Sequence, residues 1–314
     1  MVIPIKTQTF NPQDITLRDD AAHIKQRFSG IETWYYDGFF NEKYSIVALI
    51  NILTLGKTGV IRTGLFIYKD AKLVQSLRQK HPYKKLYASE ETPDIRIDGK
   101  QLLLGEVNTN GVWQYQIKMG NENLSVDIKL EKKSKGWMGK TTLGSWLAIP
   151  YFNITGTLRI KGEAIALKGR GYHDHNVYSI LAPFKTKGYH FGNINLKDSV
   201  ITWGRVIKNR KQIQTLSILT SEKKFISFRP EEIHFVLEKK RKEQRKNIPD
   251  VFSLKIQSND INLDVAVETK ALDHIKMPTL NYWRYHTKNK GLLKTITGTE
   301  EIDSVEIAEM LRFF

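Results

Sequence analysis

The chain has 314 residues, of which 40% are apolar and 26% are charged, and it contains no cysteine. A chain of this length and apolar content can fill one or two hydrophobic cores, so disorder is excluded as its main state. The lack of cysteine excludes disulfides, thiolate nucleophiles, zinc fingers and iron–sulfur clusters. Any chemistry must therefore use carboxylates, histidines, tyrosines or hydroxyl groups.

The net charge is +16, and both halves of the chain share it evenly. The densest group, residues 238–246 (the basic cluster), has six basic and two acidic residues. An even spread indicates a generally basic surface, and no aromatic residue interleaves with the basic cluster, so we expect no nucleic-acid partner. The sequence leaves two interpretations of the basic cluster open: a solvated loop, or a peripheral contact with an anionic membrane.

The longest apolar stretch, residues 44–55, is interrupted by polar residues and is shorter than the roughly 18–20 residues that a membrane-spanning helix needs. The first residues lack the cationic and apolar regions of a secretory signal. We therefore expect a cytoplasmic protein, with peripheral attachment to a membrane as the alternative that the basic cluster leaves open.

In the first half of the chain, residues 54–68 are rich in β-branched and aromatic side chains and predict a strand. Residues 70–80 carry the best helical pattern, although it is short. Residues 125–130 and 157–160 alternate between apolar and polar side chains, as half-buried strands do.

In the second half, residues 199–206 and 261–265 predict further strands, and residues 305–314 fit either a helix or a strand. Turn signals recur between these short segments: Asp37-Gly38, Asp98-Gly99, Gly120-Asn121 and Lys161-Gly162. This pattern predicts an all-β protein with antiparallel sheets that close into sandwiches or barrels. We place a domain boundary near residue 183, which gives an N-terminal domain of residues 1–182 and a C-terminal domain of residues 183–314.

One segment, residues 169–177, concentrates polar and ionisable side chains within a strand-like region. Burying such groups is costly unless each finds a partner. In an extended chain, Tyr172, Asp174 and Asn176 share one face, and His173 and His175 share the other. The first face places a carboxyl group between a phenol and an amide, which is a set suited to handling protons.

Three interpretations of this segment remain open. A metal site could use the two histidines, as in cupin barrels, but those sites need a glutamate where Ser179 and Ile180 stand here. A structural network would tie polar groups together without turnover. A site that transfers protons or orients a ligand is the interpretation we favour, with no metal and no cofactor.

Several motifs follow one another along most of the chain: residues 32–38 (ETWYYDG), 146–150 (WLAIP), 154–158 (ITGTL), 171–176 (GYHDHN), 203–205 (WGR) and 282–285 (YWRY). Their order and spacing resemble the landmarks of the carotenoid 1,2-hydratase (hydroxyneurosporene synthase) and AttH-like family, which is related to fungal Diels–Alderases. The YHDHN string is the specific part of this resemblance.

The resemblance implies two lipocalin-like (calycin) antiparallel β-barrel domains packed together, with a ligand cavity near their junction. It also implies an apolar isoprenoid or polyene substrate that undergoes hydration, isomerisation or cyclisation. By the same resemblance Asp174 is the acid and Tyr172 its neighbour, and His175 and Asn176 position the reacting groups.

Hydration of an alkene proceeds through a carbocation, which aromatic faces stabilise through their quadrupoles. Trp34, Tyr36 and Trp203 are the candidates for this substrate-binding role, and we expect them to approach the same cavity as Asp174; ordinary core packing is the alternative for each. A second class of function stays open, because lipocalin-like proteins often bind apolar ligands without chemistry.

Overall fold

The computed structural model describes residues 15–24, 28–141, 144–208, 213–277 and 280–313. The protein is all-β, with two antiparallel sheets, of which one forms a nearly closed barrel and the other a half-barrel. The predicted fold class is confirmed. The chain passes from one compact unit to the other between Ala182 and Pro183. In the described ranges, no helix has the length and apolar character that crossing a membrane requires.

The first unit contains a twelve-stranded antiparallel sheet in the part of the chain that the structure describes. Its strands are β1 (Ser29–Phe40), β2 (Tyr44–Leu55), β3 (Thr58–Lys69), β4 (Lys72–Pro82), β5 (Leu86–Ala88), β6 (Asp94–Ile97), β7 (Lys100–Val107), β8 (Trp113–Gly120), β9 (Leu124–Lys132), β10 (Trp137–Thr141), β11 (Gly144–Ile160) and β12 (Glu163–Tyr178). They neighbour in the order β4-β3-β2-β1-β12-β11-β9-β8-β7-β6-β5, with β10 beside β11. A 3₁₀ turn, Tyr83–Lys85, precedes β5.

The second unit contains a nine-stranded antiparallel sheet within its described residues. Its strands are β13 (Gly188–Asn195), β14 (Ser199–Ile207), β15 (Ile213–Ser221), β16 (Phe225–Ser227), β17 (Ile233–Glu243), β18 (Lys246–Gln257), β19 (Ile261–Met277), β20 (Leu280–Thr295) and β21 (Gly298–Phe313). They neighbour in the order β16-β15-β14-β13-β21-β20-β19-β18-β17. A four-residue helix, Ala182–Lys185, precedes β13, and a 3₁₀ turn, Pro230–Glu232, precedes β17.

Two segments differ from their predicted or undecided local structure. The helical pattern of residues 70–80 is wrong, since most of it lies in β4, which pairs with β3. Asp70 and Ala71 have φ of 49° and 65°, so they form a two-residue hairpin turn that returns the chain along β3. The undecided residues 305–313 belong to β21.

The basic cluster lies on a hairpin at the edge of the second sheet and not on a long loop. Strand β17 continues through Glu243, and Gln244 and Arg245 alone form the turn, with φ of 47° and 62°. Arg241 pairs with Asp250 at 2.9 Å across the hairpin. The cluster therefore combines exposed bases with bases that already have an acidic partner.

The turn signal at Asp37-Gly38 is also wrong, because both residues lie inside β1, where Gly38 faces Gly171 of β12. A Cβ atom at Gly38 would lie about 3.0 Å from the Arg170 carbonyl oxygen and from Ile154. Gly38 therefore does not form a turn; its missing side chain allows neighbouring strands of the sheet to approach closely. The signals at Asp98-Gly99, Gly120-Asn121 and Lys161-Gly162 do lie at strand ends.

Each unit has its own apolar core. The first core includes Trp34, Tyr36, Tyr115 and Phe152, and the second includes Trp203 and Trp283. Because strand residues alternate, the side chains that fill the first core come from the same faces of β1 and β12 that carry the histidines of the YHDHN string.

Candidate functional site

Strand β12 displays the polar string between two neighbours. On one side it pairs with β1, where Tyr35 stands opposite Asp174 and Trp34 opposite His175; on the other side it pairs with β11. The strand is extended, so Tyr172, Asp174 and Asn176 share one face, and His173 and His175 share the other, as the alternation predicts.

Asp174 is the centre of the first face, and the residue is 5% exposed. The Tyr172 hydroxyl donates to Oδ2 at 2.9 Å, and Nε1 of Trp146 donates to the same oxygen at 3.2 Å. Nδ2 of Asn176 donates to Oδ1 at 2.6 Å, and Oδ1 of Asn176 accepts the Tyr178 hydroxyl at 2.7 Å. Three donors therefore hold one buried carboxylate in a fixed orientation.

The phenol beside this carboxylate stays protonated. Burial raises the pKa of Tyr172 well above its usual value, and the negative charges of Asp174 and Asp37 raise it further. Its ring meets the edge of Tyr35, whose hydroxyl donates to Asp37 Oδ2 at 3.1 Å. The first face thus carries two phenol–carboxylate pairs side by side.

The second face of β12 points into the core of the first unit and meets a fully buried carboxylate, Asp20. Oδ2 of Asp20 accepts the Tyr115 hydroxyl at 2.5 Å and lies 3.1 Å from Nε2 of His173. Nδ1 of His173 lies 2.9 Å from the Tyr35 carbonyl oxygen. Both ring nitrogens of this histidine are therefore engaged within the protein.

His175 lies between two carboxylates. Its Nδ1 is 3.2 Å from Asp20 Oδ1, and its Nε2 is 2.9 Å from Glu32 Oε1. Burial alone would lower the pKa of His175, but hydrogen bonds to Asp20 and Glu32 and their charges outweigh it and raise the pKa to about 9. Burial alone would raise the pKa of Glu32, but hydrogen bonds from His175 and His23 lower it to about 2.

Trp34 and Tyr36 lie with the histidines and not on the Asp174 face. The Trp34 ring stacks on His175 at 4.2 Å between centroids, and the Tyr36 ring stacks on His173 at 4.1 Å. Nε1 of Trp34 also donates to the Asp20 carbonyl oxygen at 3.0 Å. These contacts give both aromatic residues a packing role in the core, and their predicted contact with substrate stays a prediction.

Trp203, the third aromatic candidate, belongs to the core of the second unit. Its ring meets His190 at 4.8 Å and Phe252 at 5.2 Å. Both ring nitrogens of His190 are buried without a hydrogen-bond partner among the described residues. Burial lowers the pKa of His190 well below its usual value, and the positive charges of Arg205 and Arg312 lower it further, so this imidazole is neutral.

The second unit also buries an ion pair on the motif of residues 282–285. Arg284 is fully buried, and its Nε lies 3.1 Å from Glu309 Oε1. Its Nη2 donates to the Tyr282 hydroxyl at 3.3 Å. The motif that marks the resemblance near the end of the chain therefore holds a charge pair inside the second unit.

Sequence reasoning missed four partners in these networks: Asp20, His23, Tyr115 and Trp146. Asp20 and His23 lie in an irregular segment before β1, where no periodicity assigns a face. Tyr115 lies in β8, which the sequence did not predict, and Trp146 lies in β11 within the motif of residues 146–150, where nothing indicated Asp174 as its partner. Glu32 was part of a motif, but nothing in the sequence connected it with His175.

The fold is similar to solved structures over nearly the whole chain. A candidate AttH from Nitrosomonas europaea has a TM-score of 0.69 at 14% identity, covering 98% of both chains. Kievitone hydratase from Nectria haematococca has a TM-score of 0.59 at 12% identity, covering 98% of this chain and 96% of that one. CghA with Sch210972 has a TM-score of 0.58 at 10% identity, covering 91% and 89%.

Neither family models nor curated protein sequences match this chain. The resemblance to AttH-like proteins is therefore supported by the fold. At identities of 10–14% the similarity shows the fold alone, because a shared fold does not imply a shared reaction.

The first prediction concerns the carboxylate in the core of the first unit. Asp20→Asn removes its charge and leaves a buried imidazolium with one acidic partner fewer, a loss that costs about 3–5 kcal/mol in buried pairs. We expect the thermal unfolding midpoint to fall by roughly 6–20 °C. Asp98→Asn is the control, because Asp98 pairs with Lys85 at the surface. Equal, small effects of both changes would contradict a central role for Asp20.

The second prediction concerns His190. Its folded pKa is lower than its unfolded value, so below about pH 6.5 the unfolded chain binds more protons and stability falls as the pH falls. The loss reaches up to about 1.4 kcal/mol per pH unit for one histidine. His190→Phe should flatten this decline between pH 7 and pH 5, measured as unfolding midpoints.

Two comparisons complete that measurement. Buried His286 has its pKa lowered to about 4 by burial and by the charge of Arg284, so part of the decline should remain in the variant. His234→Gln changes an exposed histidine and should leave the decline as it is. An unchanged slope in His190→Phe would show that His190 does not produce the acid sensitivity.

Proposed function

We propose that this chain is a carotenoid 1,2-hydratase-like enzyme that acts on an apolar isoprenoid or polyene substrate by proton transfer. The reaction would be a hydration, an isomerisation or a cyclisation. The observation that carries the proposal is the Asp174 carboxylate, buried and held by the donors of Tyr172, Trp146 and Asn176. The similarity in fold to kievitone hydratase supports an enzyme of this kind.

Asp174 would act as the general acid. In a hydration, its carboxyl proton passes to one carbon of the alkene, and the neighbouring carbon becomes a tertiary carbocation. Water then adds to the cation and loses a proton, which returns the carboxyl group to its starting state. The three donors stabilise the carboxylate that remains after the first transfer, so they lower the free energy of the ion pair at the point where charge develops.

The remaining predicted residues would act through this group. Asn176 donates to Oδ1 of Asp174, and Tyr172 donates to Oδ2. These two hydrogen bonds would fix the orientation of the carboxyl group relative to the substrate. His175 lies on the other face of β12 and would act by fixing the strand through its two carboxylate contacts. Substrate contact by Trp34, Tyr36 and Trp203 belongs to the same proposal.

A non-catalytic protein that binds an isoprenoid or another apolar lipid is the alternative function. Barrel interiors and mouths often hold such ligands without chemistry. Turnover distinguishes the two: a binding protein releases the molecule it took up, whereas an enzyme releases a product with a changed mass or double-bond pattern.

The third prediction tests the acid. Asp174→Asn keeps the shape of the side chain but removes its exchangeable proton, so the rate should fall by roughly 10²–10⁴. Substrates are first identified by mass spectrometry of apolar molecules extracted from the purified protein, and turnover is then followed by chromatography. Tyr172→Phe removes a single hydroxyl donor and should lower the rate less.

Binding and unfolding midpoints are measured for the same variants. A fully active Asp174→Asn protein would show that Asp174 is not the acid. Loss of fold in both variants, with no turnover in the wild type, would favour a purely structural network, since each buried group left without a partner costs about 1–3 kcal/mol.

The fourth prediction concerns the basic cluster, which we propose holds the protein near anionic lipid where apolar substrates reside. Each base near such a surface contributes about 1 kcal/mol. Replacing Lys239, Lys240, Arg241 and Lys242 with Gln should weaken sedimentation with phosphatidylcholine vesicles that contain phosphatidylserine. Turnover of detergent-solubilised substrate should stay the same.

The control lowers the net charge equally at exposed lysines of the first unit, through Gln substitutions at Lys72, Lys80, Lys84 and Lys100. If both variants lose vesicle binding to the same extent, overall charge and not the hairpin governs the contact. If neither does, the basic cluster is a solvated hairpin.

A further inference from the structure

We propose that His23, Glu32 and His175 form a binding site for a divalent transition metal ion of the zinc class. Each residue offers one ligand atom, and the three atoms lie within 4.8 Å of one another. The site lies on the core side of β12, away from the Asp174 face, and the proposal does not depend on the proposed reaction.

Two of the three pairs of ligand atoms already have the spacing of a coordination shell. Oε1 of Glu32 lies 3.2 Å from Nδ1 of His23 and 2.9 Å from Nε2 of His175. Metal–ligand bonds of about 2.0–2.2 Å place neighbouring ligands about 3 Å apart in tetrahedral or octahedral geometry. The backbone N–H of His23 also donates to this oxygen at 2.9 Å, which fixes the carboxylate between the two rings.

The His175 ring is oriented as in metal-binding histidines, with one ring nitrogen on a carboxylate and the other facing the proposed ion position. Its Nδ1 faces Asp20 at 3.2 Å, so Nε2 is directed at Glu32 and His23. Asp20 is itself held by Tyr115 and His173, and Trp34 stacks on the His175 ring. A carboxylate behind the imidazole fixes its tautomer and strengthens it as a ligand.

The site can be reached from outside the core. The His23 side chain is 27% exposed, whereas that of Glu32 is 6% exposed. A small surface depression lined by His23, Glu32 and Thr54 opens beside the ligand atoms. An ion could enter from this side, and water could fill the positions that the three protein ligands leave open.

The donor set selects the class of ion. Two imidazole nitrogens and one carboxylate oxygen suit zinc, cobalt, nickel, copper and ferrous iron, whereas calcium and magnesium prefer oxygen ligands. Binding releases the proton on Nε2 of His175 to solvent, and one bond from each residue to the ion replaces the hydrogen bond between His175 and Glu32. This assignment departs from the sequence-based expectation of no metal, and it uses His23 instead of His173.

The fifth prediction tests the site in the full chain, treated with a chelator and then dialysed. Calorimetric titration with Zn²⁺ should show one ion per chain. His23→Gln should weaken binding at least ~10-fold, and its unfolding midpoint without metal should stay near that of the wild type, because His23 is partly exposed. Glu32→Gln should weaken binding to a similar extent. His234→Gln, which removes an exposed histidine of β17, should bind Zn²⁺ as the wild type does.

A spectroscopic measurement on the wild type does not depend on whether any variant folds. Cu²⁺ added at one equivalent should give an electron paramagnetic resonance spectrum with hyperfine coupling to two imidazole nitrogens. The assignment would be overturned if the His23→Gln protein still showed coupling to two nitrogens. It would also be overturned if His234→Gln weakened Zn²⁺ binding as much as His23→Gln does. No Zn²⁺ binding by the wild type would overturn it as well and would identify the cluster as a closed network of histidines and carboxylates.

Discussion

The buried carboxylate of Asp20 is the group on which the interior of the first unit depends. A carboxylate removed from water is unfavourable unless it is paired, and Asp20 is satisfied by one hydroxyl and two imidazoles from distant strands. Hydrogen bonds and charge from His173 and His175 overcome the cost of burial and lower the pKa of Asp20. Because its partners come from β8 and β12, this one group ties the irregular segment before β1 to two strands that are not neighbours in the sheet.

The same histidines connect the two faces of β12. Each packs against an aromatic ring of β1 inside the core, while the residues between and beside them present Tyr172, Asp174 and Asn176 on the opposite face. A rigid core face therefore fixes the backbone that carries the Asp174 carboxylate. Gly38 and Gly171, which face each other beside this string, let β1, β11 and β12 approach closely where a Cβ atom would collide. The core contacts of His173 and His175 therefore help to position the proposed acid, in addition to the contacts that its own carboxylate makes.

The sequence predicted some of the strands, such as residues 125–130 and 261–265, and the division of the polar string between two faces, because these follow from a two-residue period. It did not predict β4, whose apolar residues mimic a helical spacing while Leu73 and Val74 are exposed on a hairpin. Asp20 could not be found, since a contact with His173 more than 150 positions away leaves no local pattern. His23 lies nine residues before its partner Glu32, but in an irregular segment where no periodicity assigns a face. The role of Gly38 was predicted wrongly for a related reason. A turn and a close approach of two strands both favour a residue without a side chain, and only the neighbouring strand in the structure shows which of the two applies.

The placement of the aromatic residues limits which chemistry can be shared with the proteins of similar fold. Trp34 and Tyr36 present ring faces to His175 and His173, so a cation in a substrate would have to compete with imidazoles for those faces. His175 is itself protonated at neutral pH, because its pKa is raised to about 9, and a positive ring against Trp34 already uses the attraction that a carbocation would receive. The rings on the Asp174 face, Tyr172 and Trp146, are directed at a carboxylate and not at an imidazole. Charge therefore favours the Asp174 face for a cationic intermediate, whereas the histidines of the other face are already paired with the carboxylates of Asp20 and Glu32.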